Sequence, residues 1–142
     1  MNILRRSAII FTAVFIPLFM ASKGHAATDN KVAEQAAGTW LTLIDAEKYP
    51  EAWKDYSSSF KEKMTQAQWE GQIKSARGIL GKLIDRKLKN STAAQSLPGV
   101  PDGNYVVVQY DTNFEKKKSA LETVTVILEK DGKWAVAGYY IK

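Results

Sequence analysis

A chain of 142 residues is enough for one domain and short for two. It contains no cysteine, which excludes disulfide bracing and anchoring by a lipid-modified cysteine. The formal charge is +5, but Arg5, Arg6 and Lys23 fall in a leader; without those three it is +2, too little to support nucleic-acid binding.

The leader is read from its order of parts. Arg5 and Arg6 come first, and Ala8 to Met20 forms an apolar core of about 13 residues. That core falls short of the ~20 residues a membrane span needs. Gly24-His25-Ala26 then offers small residues before Ala27. The pattern predicts a secretory signal peptide cut after Ala26, a mature domain over 27–142, and no stable membrane anchor after cleavage. Leu4 before the arginine pair and Ser7-Ala8-Ile9 after it fit twin-arginine export poorly. The general secretion route is therefore expected, with a periplasmic or extracellular location.

Thr28-Asp29-Asn30 supplies N-cap residues, and apolar residues recur at helical spacing from Val32 to Ile44. This predicts a helix over Asp29–Lys48 with Trp40 as its large anchor. Tyr49-Pro50 breaks it, and Pro50 suits the first turn of a short second helix reaching Tyr56. Ser57-Ser58-Ser59 reads as loose chain. Thr65-Gln66-Ala67-Gln68 is a capping box, and the helix it opens runs to Leu80, with Gly81 as its C-terminal cap.

From Lys82 to Thr92 the pattern alternates, with Ile84, Arg86, Leu88 and Asn90 on one face of a strand. A turn-rich loop, Leu97-Pro98-Gly99-Val100-Pro101-Asp102-Gly103, follows. Three runs dense in Val, Ile, Thr, Tyr and Trp then fill Asn104 to Lys142. Asp131-Gly132 is a strong hairpin signal between the last two. Helices followed by sequential antiparallel strands predict an α+β fold. Its N-terminal helices pack on a curved four-stranded sheet, with a cone-like cavity between.

Trp53, Trp69, the Arg86 strand and Leu97-Pro98-Gly99 through Asp102-Gly103-Asn104-Tyr105 carry a resemblance. So do Glu122-Thr123-Val124-Thr125-Val126 and Asp131-Gly132-Lys133-Trp134 into Gly138-Tyr139-Tyr140. Together they resemble the bacterial secreted family called domain of unknown function 4019, over nearly all of Val32 to Lys142. That family is similar in fold to the cystatin-like, nuclear-transport-factor-two-like superfamily. The resemblance implies helices on a curved sheet and brings no catalytic residue.

The only histidine is His25, inside the leader. A mature chain without His or Cys lacks the usual ligands for zinc, haem and iron–sulfur sites. Ser-His-Asp and Cys-His catalysis are excluded in their ordinary forms. No phosphate-binding glycine loop and no calcium loop is present, so neither a metal nor a cofactor is expected.

What remains is carboxylate, tyrosine, arginine and indole chemistry. Strand phase places Glu122 among Val124, Val126 and Leu128, and Arg86 between Ile84 and Leu88. An inward charge must be paired or neutralised, so the two are natural partners. Such a pair either fixes register or anchors a ligand in a cavity. The candidate ligand-binding residues are Arg86, Glu122 and Tyr110, with Trp53 and Trp69 as an aromatic lip beside Tyr56 if they are partly exposed.

The favoured function is a non-enzymatic module binding a small ligand or an envelope protein. One alternative is an envelope-associated structural or stress-protective protein. The other is a cofactor-free enzyme using Glu122 in an open apolar cavity.

Overall fold

The computed structural model describes residues 23–142. The expected leader lies outside them except for Lys23 to Ala26, which open the first helix. Among the described residues four helices come first: α1 (Lys23–Asp45), α2 (Tyr49–Lys54), α3 (Ser58–Lys61) and α4 (Gln66–Leu80). Four strands follow: β1 (Leu83–Ala94), β2 (Tyr105–Phe114), β3 (Lys117–Leu128) and β4 (Trp134–Ile141). They form one antiparallel sheet in the order β1-β2-β3-β4. The fold is α+β, with N-terminal helices on a four-stranded antiparallel sheet.

α1 turns Ala33, Ala37, Trp40, Leu41 and Ile44 into the core. These lie at helical spacing, and the alanines let the helix sit close to the sheet. At Gly38 an added Cβ would come within 3.9 Å of the Tyr110 hydroxyl. The helix ends at Asp45 and not at Lys48 because Glu47 turns left-handed, with φ 58°. The Glu47 N–H donates to the Ile44 carbonyl, and the Lys48 N–H to the Leu43 carbonyl. This pair of bonds closes a Schellman cap. It leaves Asp45 on the last turn, facing the sheet's arginine.

Pro50 sits in the first turn of α2, as its fixed φ favours. The serine run is not loose. Ser57 caps α3 by accepting from the Phe60 N–H at 3.3 Å, so a one-turn helix stands where loose chain is expected. Thr65 and Gln68 form the reciprocal capping box of α4, and Gly81 ends that helix with φ 75°.

β1 departs from strict alternation. Register shifts between Leu83 and Asp85 and between Leu88 and Asn90 each insert an extra residue. Ile84 is therefore pushed off the inward face and is 56% exposed, while Leu83 packs with Leu80, Phe114 and Ala120. Arg86 regains the inward phase opposite Thr112. Leu88, opposite Tyr110, shares that phase but stays 49% exposed at the sheet's edge. In β2, Val106, Val108, Tyr110, Thr112 and Phe114 are all buried, as the phase requires.

The main core joins Trp40, Tyr49, Tyr56 and Trp69 to the valines of β2, β3 and β4. Trp134 only packs against this core while partly exposed, so the buried anchor is Trp40. At the β4 edge, the Ser57 N–H donates to the Val136 carbonyl at 2.8 Å. The Val136 N–H donates to the Asp55 carbonyl at 2.7 Å, giving a short parallel bridge. The connection from α2 to α3 thereby covers the first half of that edge.

Candidate functional site

The centre of the fold is a chain of charges. Glu122, in β3, is 0% exposed. It accepts from Arg86 Nε at 2.6 Å and Nη2 at 3.2 Å. It also accepts from the Thr112 hydroxyl at 2.6 Å and the Tyr139 hydroxyl at 2.5 Å. Four donors on two oxygens satisfy a buried carboxylate without water.

Arg86 spends its other face on α1. Nη1 donates to Asp45 Oδ2 at 2.6 Å and Nη2 to Oδ1 at 3.0 Å. Asp45 also takes Arg77 Nη2 of α4 at 2.9 Å. The sequence Arg77–Asp45–Arg86–Glu122 alternates in sign and sums to zero. The remaining Arg77 donors, Nε and Nη1, have no hydrogen-bond partner among the described residues. Its guanidinium carbon instead lies 4.9 Å from the centroid of the Phe114 ring, whose π face attracts a cation.

Burial works to raise the Asp45 pKa, but hydrogen bonds from Arg86 and Arg77 outweigh it and hold the carboxyl below its ordinary value. Burial pushes the Tyr110 hydroxyl up to about 12. Burial, the Glu122 charge and the bond to Glu122 push Tyr139 up further. Both phenols stay protonated at neutral pH.

A depressed folded-state pKa gives Asp45 a stabilising contribution that is complete above the unfolded value, ~3.9. It is lost as pH falls through the folded value. Asp55, raised by burial, works in the opposite direction. Urea unfolding at pH 7 and below pH 4 is expected to show a stability loss that is smaller in Asp45→Asn. Equal pH slopes in the two proteins would contradict this assignment.

The structure brings Arg86 and Glu122 together. Tyr110 lies opposite Glu122 in the β2–β3 register, and its hydroxyl approaches α1. Trp53 and Trp69 lie apart from the ion chain, in an aromatic group around Tyr56. Their ring centroids are 5.6 Å apart, and Tyr56 stacks on Phe60 at 4.3 Å. Trp69 is 4% exposed, and its indole N–H donates to the Tyr56 hydroxyl at 2.9 Å. Trp53 is only partly buried against the same rings.

Tyr139 joins the two groups. Its hydroxyl is on Glu122, and its ring meets Trp40 edge-on at 5.1 Å.

Asp45, Arg77 and Tyr139 are the participants that strand phase alone misses, while Thr112 stands on the inward face of β2 that the phase assigns to it. A signal for two of them exists in the helices. Asp45 lies four residues after Leu41, and Arg77 four after Ile73, each on the buried stripe of its helix.

The open space lies outside this plug. Between α4 and the end of β4 runs a groove of about 770 Å³. Trp69, Ile73, Ala76 and Leu80 form one wall, and Tyr139, Tyr140 and Ile141 the other. Ile79, 75% exposed, and Tyr140, 57% exposed, stand at its rim. Among the described residues, Lys117 is the one charged residue in the lining. A second cleft of about 610 Å³ lies beside Asp45 and Arg77, with lysines and acids mixed around it.

No curated protein and no solved structure matches the chain. The family model described as "Protein of unknown function (DUF4019)" matches residues 36–139, which hold all the side chains of the ion chain and the groove from Tyr56 to Tyr139. On that match the chain belongs to the DUF4019 family.

Proposed function

We propose that this protein is an exported, non-enzymatic interaction module that takes an apolar partner in the groove between α4 and β4. The observation that carries the reading is an apolar groove with exposed rim residues beside a filled interior. Monomeric surfaces seldom leave large apolar side chains clustered around a depression unless something binds there. Glu122 favours no catalytic role, since it is fully buried and all its neighbours donate to it. The ion chain has a different task. By fixing the Tyr139 hydroxyl, it holds the β4 wall of the groove in one conformation, which lessens the entropy lost on binding. Secretion to the periplasm or beyond, by the leader described above, completes the proposal.

The probe 8-anilinonaphthalene-1-sulfonate tests it, because its rings suit the groove and its sulfonate suits Lys117. The native protein is expected to enhance its fluorescence. Ile79→Asp should leave circular dichroism unchanged, because Ile79 is exposed. The same change should weaken probe affinity at least about tenfold by placing a charge on the apolar rim. Equal affinity in both proteins would refute the groove as a binding site.

A further inference from the structure

The two edges of the sheet are treated differently. β1 carries Lys87 and Lys89 and two bulges, devices that discourage another strand from pairing there. β4, from Trp134 to Ile141, carries no charge, and its bulge, between Val136 and Gly138, leaves Gly138 to Ile141 in regular pairing with β3. Its first half is already paired, through Val136, with the Asp55–Ser57 segment.

Its second half is open. Lys142 exchanges both backbone bonds with Leu121 of β3, at 3.0 and 2.9 Å. In an antiparallel ladder, alternate residues face the neighbour. The N–H and C=O groups of Tyr139 and Ile141 therefore point away from β3, and they border the groove.

We propose that the groove's occupant is an extended peptide that adds to the β4 edge beside Tyr139 and Ile141. It would run parallel to β4, in line with the Asp55–Ser57 segment that pairs with Val136 in that direction. Main-chain bonds supply register, and alternate apolar side chains drop against Ile73, Ala76 and Leu80. Among the described residues the lining holds Lys117 and no acid, so the matching peptide carries a carboxylate at the end nearest Ile141. A parallel peptide meets this with its own C-terminus. A second copy of this chain fits less well. Its own edge has no acid between Trp134 and Lys142 to offer Lys117.

This inference rests on the groove being a binding site, and the experiment separates the two. The probe is the acetylated peptide Ser-Val-Thr-Val-Ser-Leu-Thr-Leu-Glu with a free C-terminus, titrated by calorimetry. Binding is expected, with slowed hydrogen exchange at the Tyr139 and Ile141 amides. Methylating alternate peptide nitrogens on the edge that faces β4 should weaken it about tenfold or more, since two main-chain bonds are lost. Equal binding of the methylated peptide would overturn strand addition. So would no binding of the parent peptide by a protein that still takes up the anilinonaphthalene probe. Failure of both ligands would remove the groove reading itself. Sedimentation showing a dimer that Tyr140→Lys abolishes would assign the edge to a second copy and overturn the proposal.

Discussion

Arg86→Met is expected to lower the unfolding free energy by about 3–5 kcal/mol, because it leaves the buried Glu122 carboxylate without its charge partner and Asp45 with Arg77 alone. Arg86 is 12% exposed at its side chain and serves two acids, Asp45 and Glu122. Glu122→Leu should cost less, since the arginine it frees keeps Asp45. The double variant should cost less than the two single changes summed. Urea unfolding of all four proteins measures this. Simple additivity would show that the two side chains are not coupled. A larger effect from Glu122→Leu than from Arg86→Met would show that Asp45 does not share the arginine.

Trp40→Ala is expected to cost a similar ~3–5 kcal/mol. Total stability of a domain is typically ~5–15 kcal/mol, so the variant stands near the unfolding limit. Trp40 is fully buried, meets Tyr56 and Tyr139 edge-on, and donates its indole N–H to the Ala52 carbonyl at 3.1 Å. Trp134→Ala removes a side chain of equal size from a partly exposed position. Thermal melts should therefore place Trp134→Ala well above Trp40→Ala. The reverse order would mean that the closing strand, and not α1, anchors the core.

These two expectations show which parts of the fold a sequence displays. Strand β2, and β3 from Ala120 to Val126, are legible because their inward residues alternate without a break, and this puts Glu122 on the buried face. Capping residues are legible too: Thr65 and Gln68 act together as their spacing implies, and Gly81 ends α4. The bulges of β1 are not legible. They depend on how β1 meets β2, and no residue type at Ile84 or Lys89 announces an extra residue. Strict alternation therefore predicts the wrong face for Ile84 and Asn90 and the right one for Arg86.

The site was half legible for a similar reason. A charge in an apolar strand is conspicuous at period two, so Arg86 and Glu122 stood out. Arg77 sits in the last turn of α4, where a cation is common for electrostatic reasons and draws no notice, whereas Asp45, an acid at the C-terminal end of α1, is held there by the two arginines. Trp53 and Trp69 drew attention by size, but Trp69 spends its indole on Tyr56. The exposed rim, Ile79 and Tyr140, depends on α4 and β4 leaving a gap between them. That gap belongs to the packing and leaves no mark in either segment.

The alternating ion chain also bears on how the molecule reaches its native state. It ties α4, α1, β1 and β3 through side chains 32, 41 and 36 residues apart in sequence. A hairpin meander can form early from neighbouring segments. Without α1, however, Arg86 would have only Glu122, and Arg77 would lose Asp45, its ion-pair partner. Partly assembled forms therefore carry unmatched charge next to exposed apolar surface, and their free energy is high. The same groups that look like a plug in the finished fold make assembly close to all-or-none, which shortens the time the uncharged β4 edge is exposed to other unfolded chains.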